Sequence, residues 1–167
     1  MTDATEGECS MLDGLRDWTD ATDPVWQWVV VMIAGAIPFV ESYFAGPLGV
    51  LAGMLPALAI AAAIVGNIIS MVLVVLLSGR VRSATGADER ELSPRRERFK
   101  QRFDRWGVPG VSLLGQTLLP SQITSGLMVG FGASRRQVII WQIVSIALWG
   151  IGFGLLAVGG VALLEMR

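Results

Sequence analysis

The chain has 167 residues, 53% hydrophobic and only 16% charged, with a net charge of −1 and a mean hydropathy of +0.59. It contains no histidine and a single cysteine, Cys9. Imidazole proton relays, the usual zinc ligand sets, histidine-activated nucleophiles and an internal disulfide are therefore excluded; an enzyme is a poor expectation, and no metal or other cofactor is expected.

Residues 1–23 form an acidic tail with seven acids against one base, Arg16. They lack the basic start and short apolar core of a signal peptide, so no cleavage is expected. The remainder, 24–167, reads as one membrane domain: a first repeat at 24–79, a basic loop at 80–106 and a second repeat at 107–164. Charge-free runs cover positions 42–79, 106–134 and 137–164. Each exceeds the length of about 20 residues that a spanning helix takes. The expected fold class is an all-α polytopic membrane protein, multi-pass in the cell membrane, with the lipid bilayer as its partner.

Glu41 is the only charged residue between Pro24 and Gly79. It stands in IPFVESYFAGPLG with Pro38 before it and Pro47 after it, and both prolines are read as hairpin breaks. Proline removes a backbone donor and interrupts a helix, leaving groups that only protein or water can satisfy at bilayer depth. A carboxylate there costs about 2.5–3.5 kcal/mol on insertion scales and normally faces a partner or a polar cavity. Glu41 is thus a candidate proton or cation carrier; the alternative is a brace that accepts hydrogen bonds from amides freed at the break.

Residues 56–78 read as a span, with Asn67 and Ser70 in mid-helix as packing groups or path-lining groups. The loop that follows, residues 80–105, holds nine of the chain's thirteen bases, which places it in the cytoplasm. Within it, SPRRERFKQRFDRW predicts an amphipathic helix, with Ser93 as N-cap and Pro94 at the first position. Phe99, Phe103 and Trp106 make its apolar stripe, expected to lie in the inner membrane interface. Acids interleave with the arginines and no aromatic platform is present, so nucleic acid is not an expected partner.

Arg135 and Arg136 belong on the same side as the basic loop. The stretch 106–134 before them is too short for two spans, which take about 40 residues, so a re-entrant hairpin turning at the Pro120 break is expected. Gln116, Thr117, Ser121, Gln122, Thr124 and Ser125 cluster around that turn. They are candidates either to line a hydrated cavity opposite Glu41 or to satisfy backbone groups released by the break. Residues 137–164 then cross once, with Gln142 and Ser145 read mainly as packing groups. Both halves become a re-entrant helical hairpin followed by a transmembrane helix, in opposite orientations, with the amphipathic helix between them and both termini outside; the alternative is four or five plain helices with the prolines as simple kinks. Pro38 precedes Arg80, the first residue after the first repeat, by as much as Pro120 precedes Ala162 in the second, which aligns the two prolines. The small-xxx-small pairs Gly49/Gly53, Gly126/Gly130 and Gly150/Gly154 offer close helix approach.

The segments PFVESYFAGPLGV (residues 38–50), Gly66–Asn67 and GVPGVSLLGQTLLPSQ (residues 107–122) resemble the small multidrug export family. That family looks distantly related to the DedA/VTT membrane proteins, whose fold is built on two facing re-entrant hairpins. The chain departs from these patterns at three positions. Thr117 and Ile123 stand where DedA proteins place arginines, and Tyr43 where the export family often has a base. The resemblance implies transport, with Glu41, Tyr43, Asn67, Gln116, Thr117, Ser121 and Gln122 as substrate- or proton-binding candidates. The leading expectation is proton-coupled export of a hydrophobic or cationic small molecule. Alternatives are a DedA/VTT-like lipid flippase or scramblase, and a non-transporting membrane scaffold assembled through its small-residue faces. A homodimer is compatible with a chain this short.

Overall fold

The computed structural model describes residues 24–85, 94–115 and 119–166. The acidic tail, the expected Ser93 cap, Gln116 and Thr117 lie outside the described residues. Those described are helical, with no strand among them: α1 (Pro24–Ala36), α2 (Glu41–Leu51), α3 (Pro56–Thr85), α4 (Pro94–Gly115), α5 (Ser121–Gly130) and α6 (Arg135–Glu165). Among the described residues two stretches are long and apolar enough to cross a membrane, Pro56–Ser78 in α3 and Arg135–Leu164 in α6.

The chain divides into two compact units. The first comprises residues up to Asn67 together with Leu148–Arg167; the second is Ile68–Ala147. In the first, α1 and α2 form a helical hairpin that turns through residues 37–40, where Ile37 N–H donates to Ala34 O and the N–H groups of Val40 and Glu41 both donate to Ile37 O. Val31, Ala45, Val50, Met54, Ala59, Ala62 and Ala63 make its core. Most of these are small residues, and they let helix backbones approach closely. The tightest approach is at Gly35 and Gly66: a methyl at Gly35 would strike the Ala63 carbonyl oxygen, and one at Gly66 would strike that of Met32. Gly150 and Gly154 behave similarly, against Ile64 and Ile60. Gly53 and Gly130 have nothing within 4 Å, so only one of the three expected glycine pairs is a close approach at both positions.

Pro38 sits in the turn, as expected of a break. Pro47 does not interrupt the chain: it lies inside α2, which continues on both sides. The helix gives up only the bond that residue 47 would have donated to the Tyr43 carbonyl. What ends α2 is Gly53, at φ +88. Gly53 N–H donates to Val50 O at 3.0 Å and Met54 N–H to Gly49 O at 3.1 Å, a Schellman cap that needs a residue tolerant of positive φ. Pro56 then opens α3, where its missing N–H is no loss.

The second unit has the same order of parts. α4 breaks at Gly107 (φ 64, ψ −172), separating an amphipathic segment from a short arm, and Pro109 falls in the first turn of that arm. The chain re-enters helix at Ser121 after Pro120, which is extended (φ −52, ψ 144). α5 ends on a second Schellman cap, with Gly132 at φ +96 donating to Val129 O and Ala133 N–H to Met128 O, both at 3.0 Å. Arg135 opens α6 shortly after that glycine, as Pro56 opens α3 shortly after Gly53.

The two caps, Gly53 and Gly132, and the two long-helix starts, Pro56 and Arg135, share one sequence offset of 79. Over the segments 41–78 and 120–157, no buried position in one has an exposed counterpart at that offset in the other. The alignment of Pro38 with Pro120 is therefore out of register by one helical turn. Pro120 occupies the place of Glu41.

Two of the three rings expected at a lipid interface are engaged within the protein. Phe99 and Phe103 stack on Phe131 at centroid distances of 6.0 and 6.4 Å, and Phe99 is buried. A protein ring offers them contacts that orient as well as bury. Trp106 remains exposed, at the edge of a recess of about 30 Å³ lined also by Arg102, Val111, Leu114 and Leu119.

Gly66→Ala is expected to destabilise the protein by about 3 kcal/mol, since a backbone carbonyl cannot swing aside as a side chain can. Gly152→Ala, with nothing within 4 Å, should be stabilising by about 0.5–1 kcal/mol through helix propensity. Thermal unfolding of the two variants in one detergent measures both.

Candidate functional site

Glu41, Ser42 and Asn67 are all fully buried in the first unit. Their placement follows from the hairpin. α2 begins at Glu41, so the carboxylate sits in the first turn, where the unsatisfied amides and the helix dipole favour negative charge. Reaching that position requires left-handed backbone at two non-glycine residues, Phe39 (φ 74) and Glu41 (φ 48). Such conformations cost of order 1–3 kcal/mol each and persist where the surroundings impose them, frequently at functional sites.

Asn67, in the middle of α3, donates from Nδ2 to Ser42 Oγ at 3.4 Å. Gly150 leaves the space that Ser42 occupies: a methyl there would lie 3.0 Å from its Oγ. Tyr43, half-buried, turns away from this polar trio into an aromatic row, with centroids 5.0 Å from Phe44 and 6.0 Å from Phe153. Its phenol remains within electrostatic reach of the Glu41 carboxylate. Thus Glu41 and Asn67 come together as part of one cluster. Ser42, which joins them, is the member that sequence reasoning passed over, because one hydroxyl in an apolar run is an ordinary helix residue.

Among the described residues of the second unit, seven polar side chains are buried: Ser112, Ser121, Gln122, Thr124, Ser125, Gln142 and Ser145. All are uncharged. Gln122 Nε2 donates to Ser70 Oγ at 3.4 Å, and Ser121 Oγ donates to Gln122 Oε1 at 3.4 Å. Ser125 Oγ and Thr124 Oγ1 donate to the carbonyls of Ser121 (2.6 Å) and Leu119 (3.4 Å) respectively, so part of this cluster does satisfy the backbone beside the Pro120 break. Ser145 Oγ donates to Ser112 O at 2.8 Å, tying α6 to the arm of α4. The Gln142 amide and the Ser112 hydroxyl are buried with no hydrogen-bond partner among the described residues. Leaving such a group unpaired costs about 1–3 kcal/mol. Ser112 carried no signal in the sequence beyond its hydroxyl.

Chemically, the first cluster offers one carboxylate with an amide and a hydroxyl beside it, which suits holding a proton or a single cation. The second offers only neutral donors and acceptors. Among the described residues no group of three His, Cys, Asp or Glu could hold a metal ion.

The chain matches no known protein family, no characterised protein and no solved structure. The resemblance carried by residues 38–50, 66–67 and 107–122 rests on those motifs alone.

If Asn67 and Ser42 are coupled as their geometry indicates, a double-mutant cycle with Asn67→Ala and Ser42→Ala gives an interaction energy of about 0.6–1.7 kcal/mol, the range for interhelical hydrogen bonds in membrane proteins. Effects that add to within about 0.3 kcal/mol would show that the bond contributes nothing to stability.

Proposed function

We propose that the chain is a small polytopic membrane transporter, with Glu41 as its proton- or cation-binding group and a hydrophobic or cationic small molecule as its cargo. The observation that carries this reading is the position of Glu41: fully buried, at the start of a helix, immediately after a backbone break held in left-handed conformation. An intramembrane ionisable residue at a broken helix is a recurring mark of transport sites.

Support for the membrane setting comes from which side chains are hidden. No leucine among the described residues is buried, whereas ten polar or charged residues are. Water-soluble proteins sort these residues the other way. The two long apolar helices have only 33% and 17% of their most apolar stretches buried, which is less than the core helix of a soluble fold shows and supports lipid as their surroundings. Lipid is the natural neighbour for the Leu, Ile and Phe side chains left outside.

The shared register supports a repeat in which each half is a re-entrant hairpin followed by one crossing helix. A hairpin returns to its own side and a single helix changes side, so successive halves enter from opposite faces, giving inverted topology. The basic loop at 80–106 is then cytoplasmic and both termini lie outside. The motif resemblance to the small multidrug export and DedA/VTT proteins points the same way.

A second reading, lipid flipping or scrambling, is favoured by the seven uncharged buried polar side chains of the second unit, which could pass a headgroup beneath an apolar exterior. Reconstitution separates the two. Proteoliposomes should accumulate a fluorescent lipophilic cation under an imposed pH gradient, and Glu41→Gln should reduce that accumulation at least tenfold with unchanged insertion. Full activity in the variant would remove Glu41 from the mechanism. Headgroup-dependent lipid translocation without a gradient, unaffected by Glu41→Gln, would favour the second reading and leave Glu41 as a hairpin brace.

A further inference from the structure

The register set by the two glycine caps pairs buried positions of one repeat with positions in the other; at four pairs the second repeat is polar where the first is apolar, and the reverse holds for Glu41 against Pro120 and Asn67 against Ile146. Ala45, Gly46, Ala63 and Gly66 in the first repeat correspond to Thr124, Ser125, Gln142 and Ser145 in the second. All eight residues are buried. The first repeat forms its hairpin and its crossing helix with small apolar residues at these places, so the fold itself does not call for polarity there. The second repeat carries two hydroxyls from α5, and an amide and a hydroxyl from α6, at the same places. Packing glue accounts for Ser145, which bonds Ser112 O at 2.8 Å, and local bonds to backbone carbonyls account for Thr124 and Ser125. Neither accounts for the Gln142 amide or the Ser112 hydroxyl, which are buried without partners among the described residues.

Gln142 lies one turn before Ser145 on the same face of α6, and Ser145 is bonded to Ser112 on the arm of α4. Gln142 and Ser112 therefore belong to the two elements that this bond joins. Between them they offer donors and acceptors of both kinds and no charge, and every other buried polar side chain of this unit is also neutral. That composition fits a small neutral molecule that both donates and accepts hydrogen bonds, and it disfavours an ion.

We infer that the seam between α6 and the arm of α4 is a hydration site, closed in this structure, which takes up water at the Gln142 amide and the Ser112 hydroxyl when the two elements part. Both side chains have no exposed surface here, so water enters only with movement. The bond across the seam, from Ser145 Oγ to Ser112 O, is the contact that such opening breaks. The unpaired polar groups penalise the closed state and so favour opening. Among small molecules water is the one that needs the least separation. Hydration of the seam is independent of the transport reading, and it stands or falls on its own if liposomes show no transport.

Thiol chemistry tests it, because a thiol reacts as the thiolate and needs water to ionise. In a Cys9→Ser background in nanodiscs, Ser112→Cys is treated with a small water-soluble methanethiosulfonate. Val75→Cys, in the same unit and equally buried but apolar, is the reference. Modification at residue 112 is expected to be at least tenfold faster than at residue 75. Equal rates overturn the proposal. Should either variant fail to fold, the unsubstituted protein in nanodiscs decides: the Gln142 side-chain amide is expected to show exchange cross peaks with water, and an amide without them is dry, which overturns the proposal as well.

Discussion

A helix interrupted among apolar side chains releases backbone amides and carbonyls that must find partners nearby, and the arrangement of this protein follows from how it provides them. In the first unit the turn after α1 is closed by two N–H groups converging on the Ile37 carbonyl. A carboxylate then stands at the next helix start, where amides are available. The other end of that helix is closed by a Schellman cap on Gly53, and the second unit closes its own hairpin with the same cap on Gly132. Polar side chains gather at these interruptions because that is where hydrogen-bonding demand is highest. A candidate site and a structural necessity thus share one location, and the strained backbone at Phe39 and Glu41 marks where the fold holds a geometry it would not adopt spontaneously.

Glycine and alanine set the second condition. With few large side chains in the core of the first unit, contact comes from backbone approaching backbone, as at Gly35 and Gly66. Such contact is sterically unforgiving in a way that leucine packing is not: one methyl at Gly66 meets a carbonyl oxygen rather than a mobile side chain. The second unit meets the same requirement differently. It spans part of the corresponding contact with a hydroxyl-to-carbonyl bond, from Ser145 to Ser112.

Much of this was legible in the sequence where a residue's own chemistry decides the outcome. Pro56 and Pro94 open helices, Pro120 precedes one, and Glu41 and Asn67 were recognisable as polar residues too costly to bury without purpose. What escaped depends on partners distant in sequence. Pro47 resembled a break, yet one missing donor is tolerated when the helix is held on both sides by packing. Prolines are the most visible marks in the sequence, whereas the two caps that share an offset of 79 are glycines distinguished only by their backbone angle. Phe99 and Phe103 offered an apolar stripe whose destination was decided by Phe131, far along the chain. Ser112 became notable only once Ser145 and Gln142 were placed beside it.

The outward placement of the leucines has a thermodynamic consequence. If the protein sits in a bilayer, as proposed, separating its helices transfers leucine from lipid to lipid, and little apolar surface meets water. The heat-capacity increment of such unfolding, which scales with apolar surface hydrated, is then small, and stability falls with temperature along a nearly straight line rather than a dome. Cooling does not weaken the fold through fading hydrophobic driving force, and urea finds little newly exposed surface on which to act. Cohesion of that kind rests on close contact and hydrogen bonds, which makes the fold sensitive to a single atom at the contact.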